Sequence, residues 1–330
     1  MYIMYNINGD KMKERILNIL KENNNQLISG SSIAKKLNVT RSYVNKIIIS
    51  LKEDGYNIEQ YNRSGYIYKD CIKVIDEKEI CDNINKKKDI LFFEKINSTN
   101  TYLKEIAKDK TINNKLVIAN FQSNGRGRLG RTFISEKTCG IYMSLLLRPD
   151  ISLNNITKVT CLTAVAIKNA ILELTNLNPL IKWVNDIYIN NKKVSGILVE
   201  SSIENNQLDY LIIGIGINVY KREFDESIKN IATSIEDEGN MIISRNELIA
   251  KIINNIDTYL DNFYNNIFME DYRNSSCVIG KKVELNMHGK YIDVVVKDIN
   301  LDGELIVDTK DEINKVIYSG EITRMVINDK

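Results

Sequence analysis

Three arginines and three glycines fall within seven residues, Gly125-Arg-Gly-Arg-Leu-Gly-Arg131. Arginine stays charged at any relevant pH and presents five donors in a planar fork. Glycine lets a backbone come close to a ligand. Together they suit a loop that wraps an anion, above all a phosphate. Mutually repelling cations on a mobile backbone predict poor order when such a loop is empty. A basic surface turn would use the same residues. The run lies between the apolar segments 116–121 and 141–147, however, and that position favours a ligand loop.

A second constellation is Ile181-Lys-Trp-Val-Asn-Asp-Ile187, which holds the only tryptophan, Trp183. Lys182, Asn185 and Asp186 set a cation, an amide and a carboxylate among apolar neighbours. They read either as the polar floor of a pocket or as a hairpin turn with a surface lysine. Gly214 and Gly216 alternate with isoleucines in 211–218, so one face of that strand lacks side chains and leaves a slot for a neighbouring element or a flat ligand. No Walker phosphate motif is present, and the Gly-x-Gly at 214 lacks the rest of a dinucleotide fingerprint. His288 is the single histidine and lies in another segment, so a Ser-His or Cys-His nucleophile is hard to build. Catalysis here would work by positioning and charge stabilisation.

The elements around these residues read as a mixed α/β domain over 90–270, with more hairpins than a regular βαβ alternation. Leu91-Phe-Phe93 predicts a strand. Asn97 or Ser98 then caps a helix through Leu103, Ile106 and Ala107, and the free N–H groups of a helix start can also bind a carbonyl or an anion. Strands follow at 116–121 and 140–147, then a long helix over 156–174. A hairpin turns at Asn190-Asn191 into Lys192–Glu200. A helical region over 245–268 closes the domain, with Leu248, Ile249, Ile252, Ile253, Ile256 and Leu260 as its apolar stripe.

Residues 1–70 read as a winged helix-turn-helix. A helix over 11–23 is followed by a short one capped by Ser31 or Ser32, a turn at 38–40, and a helix from Arg41 to about Glu53 capped by Thr40. Val44, Ile47, Ile48 and Leu51 make its buried stripe, which leaves Ser42, Tyr43, Asn45 and Lys46 outside. A hairpin over 56–68, with Arg63 at its tip, forms the wing. Arg41, Ser42, Tyr43, Asn45, Lys46 and Arg63 are the candidate DNA contacts. A small helical interaction domain is the alternative. Residues 71–89 read as a linker with room for a short helical piece, in which the run Lys86-Lys-Lys88 is a solvated face. Residues 271–330 carry short alternating strands of a small SH3-like β-barrel, from which Lys281 and Arg324 could reach a neighbouring pocket.

Composition sets the outer bounds. The chain has 330 residues, 43% hydrophobic and 27% charged, with a net charge of +2. Nucleic-acid contact would therefore need a local basic surface. Five scattered cysteines and one histidine argue against a zinc site, and isolated thiols without a signal peptide fit a reducing cytoplasm. No stretch is apolar for long enough to span a membrane.

These pieces, in this order, resemble the bifunctional biotin–protein ligase and biotin operon repressor family over nearly the whole chain. The carriers are Gly125–Arg131 and Lys182-Trp-Val-Asn-Asp186. Ser98-Thr-Asn100, Lys193-Val-Ser-Gly-Ile-Leu-Val-Glu200 and Gly214-Ile-Gly-Ile-Asn218 support them. The resemblance implies an α+β protein with a winged helix-turn-helix, a class II synthetase-like biotin ligase domain and an SH3-like C-terminal barrel. It implies that biotin and ATP give biotinyl-5′-AMP, and that biotin then passes to a lysine of the biotin carboxyl carrier protein of acetyl-CoA carboxylase.

Carried over by position, Ser98, Thr99, Asn100, Gln122, Arg126, Gly127, Arg128 and Lys193 resemble biotin-binding residues. Arg128, Arg131, Lys182, Asn185, Asp186 and Asn218 resemble the ATP and adenylate side. Arg128, Lys193 and Lys182 take the catalytic part. Mg²⁺ would accompany the triphosphate, and no residue is assigned to it. The family further implies an adenylate-loaded homodimer that binds operator DNA. Val184 stands where the motif usually has proline, which puts the rigidity of that turn in question. Leu129 stands where the loop often has Arg or Lys. Two other classes remain for comparison: a lipoate–protein ligase with the same architecture, and a non-catalytic ligand-sensing winged-helix regulator.

Overall fold

A computed structural model describes residues 2–61, 64–69, 74–287 and 289–325. They form two compact units, Met1–Ile75 and Asp76–Lys330. Arg63 and His288 lie outside the described residues.

In the first unit, helix α1 (Tyr2–Glu22) begins well before the expected Lys11. A helix propagates beyond its buried stripe once the nucleus exists, because each added residue closes one more hydrogen bond. Strand β1 (Leu27–Ile28), α2 (Gly30–Leu37) and α3 (Arg41–Glu53) follow. Ser29, not Ser31 or Ser32, caps α2 by accepting from the Ser32 amide. The reason is that Ser31 and Ser32 already have helical backbone, whereas Ser29 is extended at φ −77°, ψ 143°. Thr40 caps α3 as expected, accepting from the Tyr43 amide at 3.2 Å. Strands β2 (Ile58–Tyr61) and β3 (Gly65–Tyr68) pair antiparallel, and β3 also pairs with β1. Ile16, Leu20, Ile33, Val44, Ile48 and Leu51 are buried in a core shared with Tyr66 and Tyr68.

The second unit opens with α4 (Glu77–Asn83), the short helical piece for which the linker reading left room. Asp76 caps it, accepting from the amides of Lys78 and Glu79. Then come β4 (Asp89–Phe93), α5 (Thr99–Ile106), β5 (Lys115–Ala119), β6 (Gly140–Leu147) and α6 (Ile156–Leu174). Next are β7 (Leu180–Lys182), β8 (Asp186–Ile189), β9 (Lys192–Glu204) and β10 (Gln207–Asn218). These strands form one sheet in the order β4-β5-β6-β10-β9-β8-β7, in which only the β4–β5 pairing is parallel. Strands β9 and β10 run further than expected because Asn205 and Asn206, at φ 50° and 61°, make a tight left-handed turn between them. Asparagine tolerates that region better than most side chains.

Helices α7 (Ile235–Gly239), α8 (Arg245–Asp261) and α9 (Ile267–Asn274) follow. The expected single helix over 245–268 ends early: Asn262 leaves helical backbone and Asn266 is left-handed at φ 56°. Helix α6 is buried along most of its length and packs against α8 and α9. Lys88 lies under this layer, where its Nζ donates to Asp257 at 2.7 Å and only 5% of the residue is exposed. The lysine run is therefore not uniformly a solvated face. Lys86 is exposed and pairs with Asp261, while Lys88 is a core residue.

Strands β11 (Lys282–Met287), β12 (Lys290–Ile299), β13 (Leu305–Asp308), β14 (Lys315–Ile317) and β15 (Glu321–Met325) form an antiparallel sheet in the order β14-β13-β12-β11-β15. Trp183 joins this sheet to the seven-stranded sheet by donating Nε1–H to the Gly303 carbonyl at 2.9 Å. Gly303 is at φ +83°, and a Cβ there would meet Cys161 Sγ at 2.6 Å, so the approach requires glycine. Among the described residues, no helix is long and apolar enough to cross a membrane.

Candidate active site

Two adjoining cavities lie over the sheet of the second unit. The first encloses about 470 Å³ of empty space, part of it open to solvent, between α5, the 122–133 loop and strands β9 and β10. The second, about 610 Å³, lies between the same loop, Lys182 to Asp186, and Glu321 of β15. Gly127, Arg128, Phe133, Asn185 and Lys193 line both. The expected biotin-side residues Ser98, Thr99, Asn100, Gln122, Arg126, Gly127, Arg128 and Lys193 all line the first. Of the expected nucleotide-side residues, Arg128, Arg131, Lys182, Asn185 and Asp186 line the second.

Asn218 is placed elsewhere. It is buried, donates to the Thr233 carbonyl at 3.0 Å and accepts from Arg222 at 3.2 Å. The two-residue period puts it on the face of Gly214 and Gly216, yet it lies beyond the cavities and lines neither of them.

The floor of the first cavity is a continuous chain of hydrogen bonds. Ser98 caps α5, accepting from the Thr101 amide at 3.4 Å. That cap directs Thr99 and Asn100 into the sheet, where they are buried. Gln122 Oε1 accepts from the Thr99 amide at 2.9 Å, and its Nε2 donates to Ser135 Oγ at 2.9 Å. Thr99 Oγ1 lies 2.6 Å from Ser144 Oγ, which donates to Asn100 Oδ1 at 2.5 Å. Asn100 Nδ2 donates to Glu200 Oε2 at 2.9 Å.

The slot left by the two glycines of β10 is filled. A Cβ at Gly214 would stand 2.3 Å from Asn100 Oδ1, and one at Gly216 would stand 2.6 Å from the Phe133 ring. Phe133 and Met143 supply the apolar wall.

The three loop arginines do not face one another. Arg126 Nη2 is 3.5 Å from Glu200 Oε1. Arg128 donates to Asn185 Oδ1 at 2.9 Å and to the Gly320 carbonyl at 3.2 Å. Arg131 pairs with Glu321. The loop closes on itself through Gly127 N–H to Arg131 C=O at 2.7 Å and Phe133 N–H to Gly125 C=O at 2.9 Å. Distinct acceptors therefore offset the repulsion that the sequence alone suggests. Leu129 is left-handed at φ 55° and 71% exposed, so the departure at this position presents an apolar side chain to solvent.

The Lys182–Asp186 turn is a hairpin and also a pocket wall. The Trp183–Val184 peptide is cis, and Tyr272 Oη donates to the Val184 carbonyl at 3.0 Å. Asn185 Nδ2 donates to the Ile197 carbonyl at 3.0 Å. Valine in place of proline is thus held by buried partners on both sides. Lys193 Nζ is 2.7 Å from Asp186 Oδ1. Lys182 Nζ stands 5.4 Å from the centroid of the Tyr188 ring, and burial lowers its pKa below the usual lysine value, with Asp186 acting in the opposite direction.

Several site residues were not singled out from the sequence. Ser144 had a signal, as the one serine in the otherwise largely apolar strand Gly140–Leu147. Glu200 was visible only as part of a motif. Phe133 and Glu321 had none, because their contacts span the chain. Lys281 and Arg324, expected to reach a pocket, line neither cavity; Arg324 faces Glu284 within its own sheet at 3.5 Å, and Glu321 is the residue that reaches the loop.

In the first unit, Arg41, Ser42, Asn45 and Lys46 are exposed on α3, with Tyr43 half-buried. Asn45 accepts from Tyr66 Oη of the hairpin at 3.1 Å, which fixes its amide.

Comparison with known proteins adds the following. Residues 92–218 match the biotin/lipoate A/B protein ligase family, and residues 13–67 match a helix-turn-helix domain. The bifunctional ligase/repressor BirA of Bacillus subtilis is 34% identical over 247 residues, 73% of this chain and 76% of the relative. BirA of Escherichia coli is 26% identical over 304 residues, 91% of this chain and 94% of the relative. The solved biotin protein ligase of Aquifex aeolicus, in complex with biotin and ATP, aligns with a TM-score of 0.63 at 30% identity over 73% of this chain and all of that one.

Proposed function

The chain belongs to the biotin/lipoate A/B protein ligase family, and from that membership we infer that it is a biotin–protein ligase joined to a helix-turn-helix repressor domain. It makes biotinyl-5′-AMP and pyrophosphate from biotin and ATP, then transfers biotin to a carrier lysine. The observation that carries this reading is the wall shared by the two cavities. A carboxylate held in the first and an α-phosphate held in the second meet at Arg128, Asn185 and Lys193.

Both reactants are anions, and their approach is opposed by charge. Arg126, Arg128 and Lys193 offset that repulsion and stabilise the charge that builds at phosphorus. The carboxylate oxygen bonds to the α-phosphorus as pyrophosphate leaves. The carrier amine then attacks the acyl carbon and AMP departs, so no enzyme nucleophile is needed. The 122–133 loop over the junction keeps water from the mixed anhydride.

A Mg²⁺ ion fits the second cavity. Asp186 is a carboxylate at its wall, and one carboxylate with phosphate oxygens and water is an ordinary Mg²⁺ donor set. The ion would offset charge on the outgoing pyrophosphate.

The carrier is the biotin carboxyl carrier protein of acetyl-CoA carboxylase. The chain acts in the cytoplasm. Its adenylate-loaded form is a homodimer that binds operator DNA through Arg41, Ser42, Tyr43, Asn45, Lys46 and Arg63. Ligand and dimerisation favour each other by the same factor, and two recognition helices in a dimer read a palindrome.

The test of the enzyme is exchange of labelled pyrophosphate into ATP. Exchange dependent on biotin supports the reading. Dependence on lipoate replaces it with the lipoate ligase, and no exchange with either leaves a sensor. Gel-shift titration of the organism's biotin-gene promoters tests the repressor; no shift with biotin and ATP present overturns it.

A further inference from the structure

Among the described residues, twelve non-glycine positions hold left-handed backbone, and ten of them are asparagine. Asparagine tolerates this region better than most side chains, because its short amide can bond locally. The two exceptions are Leu129, at φ 55°, and Thr138, at φ 64°. Both lie between β5 and β6, in the segment that carries the glycine-arginine loop. The chain thus has a compliant residue at its other left-handed positions and a resisting one in its ligand loop.

At φ 55° and ψ 33° the Cβ of Leu129 crowds the following carbonyl oxygen. The side chain is 71% exposed, so little apolar burial offsets that strain. The conformation is imposed from both sides. Arg128 is held by Asn185 and the Gly320 carbonyl, and Arg131 by Glu321. Between them the Gly127 amide donates to the Arg131 carbonyl at 2.7 Å, and the Arg131 amide to the Arg128 carbonyl at 3.1 Å. Gly130, at φ 75°, takes its left-handed turn without a Cβ to crowd. Leu129 takes the same turn with one.

We propose that Leu129 is a positioning residue whose strained backbone opposes the closed form of the loop and so sets how quickly biotinyl-5′-AMP leaves the site. This rests on the biotin reading, with Arg128 as the contact to the adenylate. The strain is present while Arg128 and Arg131 keep their partners, and it is relieved when the loop lifts. Whatever Leu129 costs the closed loop is therefore subtracted from retention of the ligand beneath it. The effect is carried by the backbone; the side chain supplies only the Cβ that resists.

The test forms biotinyl-5′-AMP from biotin and ATP on the full-length protein and measures its dissociation by stopped flow, with urea unfolding alongside. It compares wild type with Leu129→Asn, Leu129→Ala and Leu129→Val. Leu129→Asn keeps a side chain but accepts left-handed backbone, so dissociation should slow about fivefold. Leu129→Ala keeps the Cβ and its crowding, so it should show no such slowing. Leu129→Val, branched at Cβ, should release the adenylate faster than wild type. A role for the apolar side chain gives a different order, with Leu129→Asn the fastest to release and Leu129→Ala next. That order, or a Leu129→Asn variant that releases as fast as wild type, would overturn the proposal. So would a Leu129→Asn variant with a raised urea midpoint and an unchanged off-rate, because the strain would then be merely structural. A wild type that forms no adenylate would instead overturn the biotin reading itself.

Discussion

Arg128 donates Nη1–H to the side-chain oxygen of Asn185 at 2.9 Å, joining the glycine-arginine loop to the Lys182–Asp186 turn across 57 residues. The same guanidinium reaches the Gly320 carbonyl at 3.2 Å. It is therefore aimed at the junction of the two cavities, where an adenylate phosphate would meet it with little reorganisation.

Arg128→Ala should speed dissociation of biotinyl-5′-AMP by about ten- to a hundredfold, the range for losing a hydrogen bond to a charged group. Stopped-flow dissociation measures it directly. An unchanged off-rate would remove this arginine from adenylate retention.

Gly214→Ala should raise KM for biotin and leave KM for ATP close to wild type. The added methyl would stand 2.3 Å from Asn100 Oδ1, so Asn100 must shift and the cavity floor with it. The overpacking itself should cost about 1–3 kcal/mol of stability. Steady-state kinetics with each substrate varied separate the two effects.

Lys88→Met should destabilise the second unit by about 3–5 kcal/mol, because it leaves the buried Asp257 carboxylate uncompensated. Asp257 is 6% exposed. A double variant with Asp257→Leu should recover much of the loss. Urea unfolding reads both, and a loss below 1 kcal/mol would place the pair among solvated surface bridges.

ATP binding should take up protons on the alkaline side of neutrality. Burial lowers the Lys182 pKa from its ordinary 10.5. Between that lowered value and 10.5 the folded protein binds fewer protons than the unfolded chain, so its stability rises with pH through this window. A nearby phosphate favours the charged lysine, raises its pKa again and draws in a proton. Calorimetry in buffers of different ionisation enthalpy should show the uptake, and Lys182→Met should abolish it.

Much of this site was legible in the residues themselves. The Gly125–Arg131 run announced an anion loop, Ser98 a helix cap, and the motifs around Lys182 and Lys193 a family. Strands such as 140–147 and the helix over 156–174 followed from apolar runs and periodicity, because those signals are local. The residues that were less legible answer to distant partners. Lys88 reads as solvated until α8 brings Asp257 over it. Asn218 has the strand period of a cavity residue but lies past the cavity's end. Phe133 fills a slot that two glycines of another strand vacate, and Glu321 arrives at Arg131 from the C-terminal sheet. Sequence alone determined which chemical groups this protein has and which local elements carry them. Tertiary structure decided their partners, because a hydrogen bond or an ion pair depends on distances between segments that no local pattern contains.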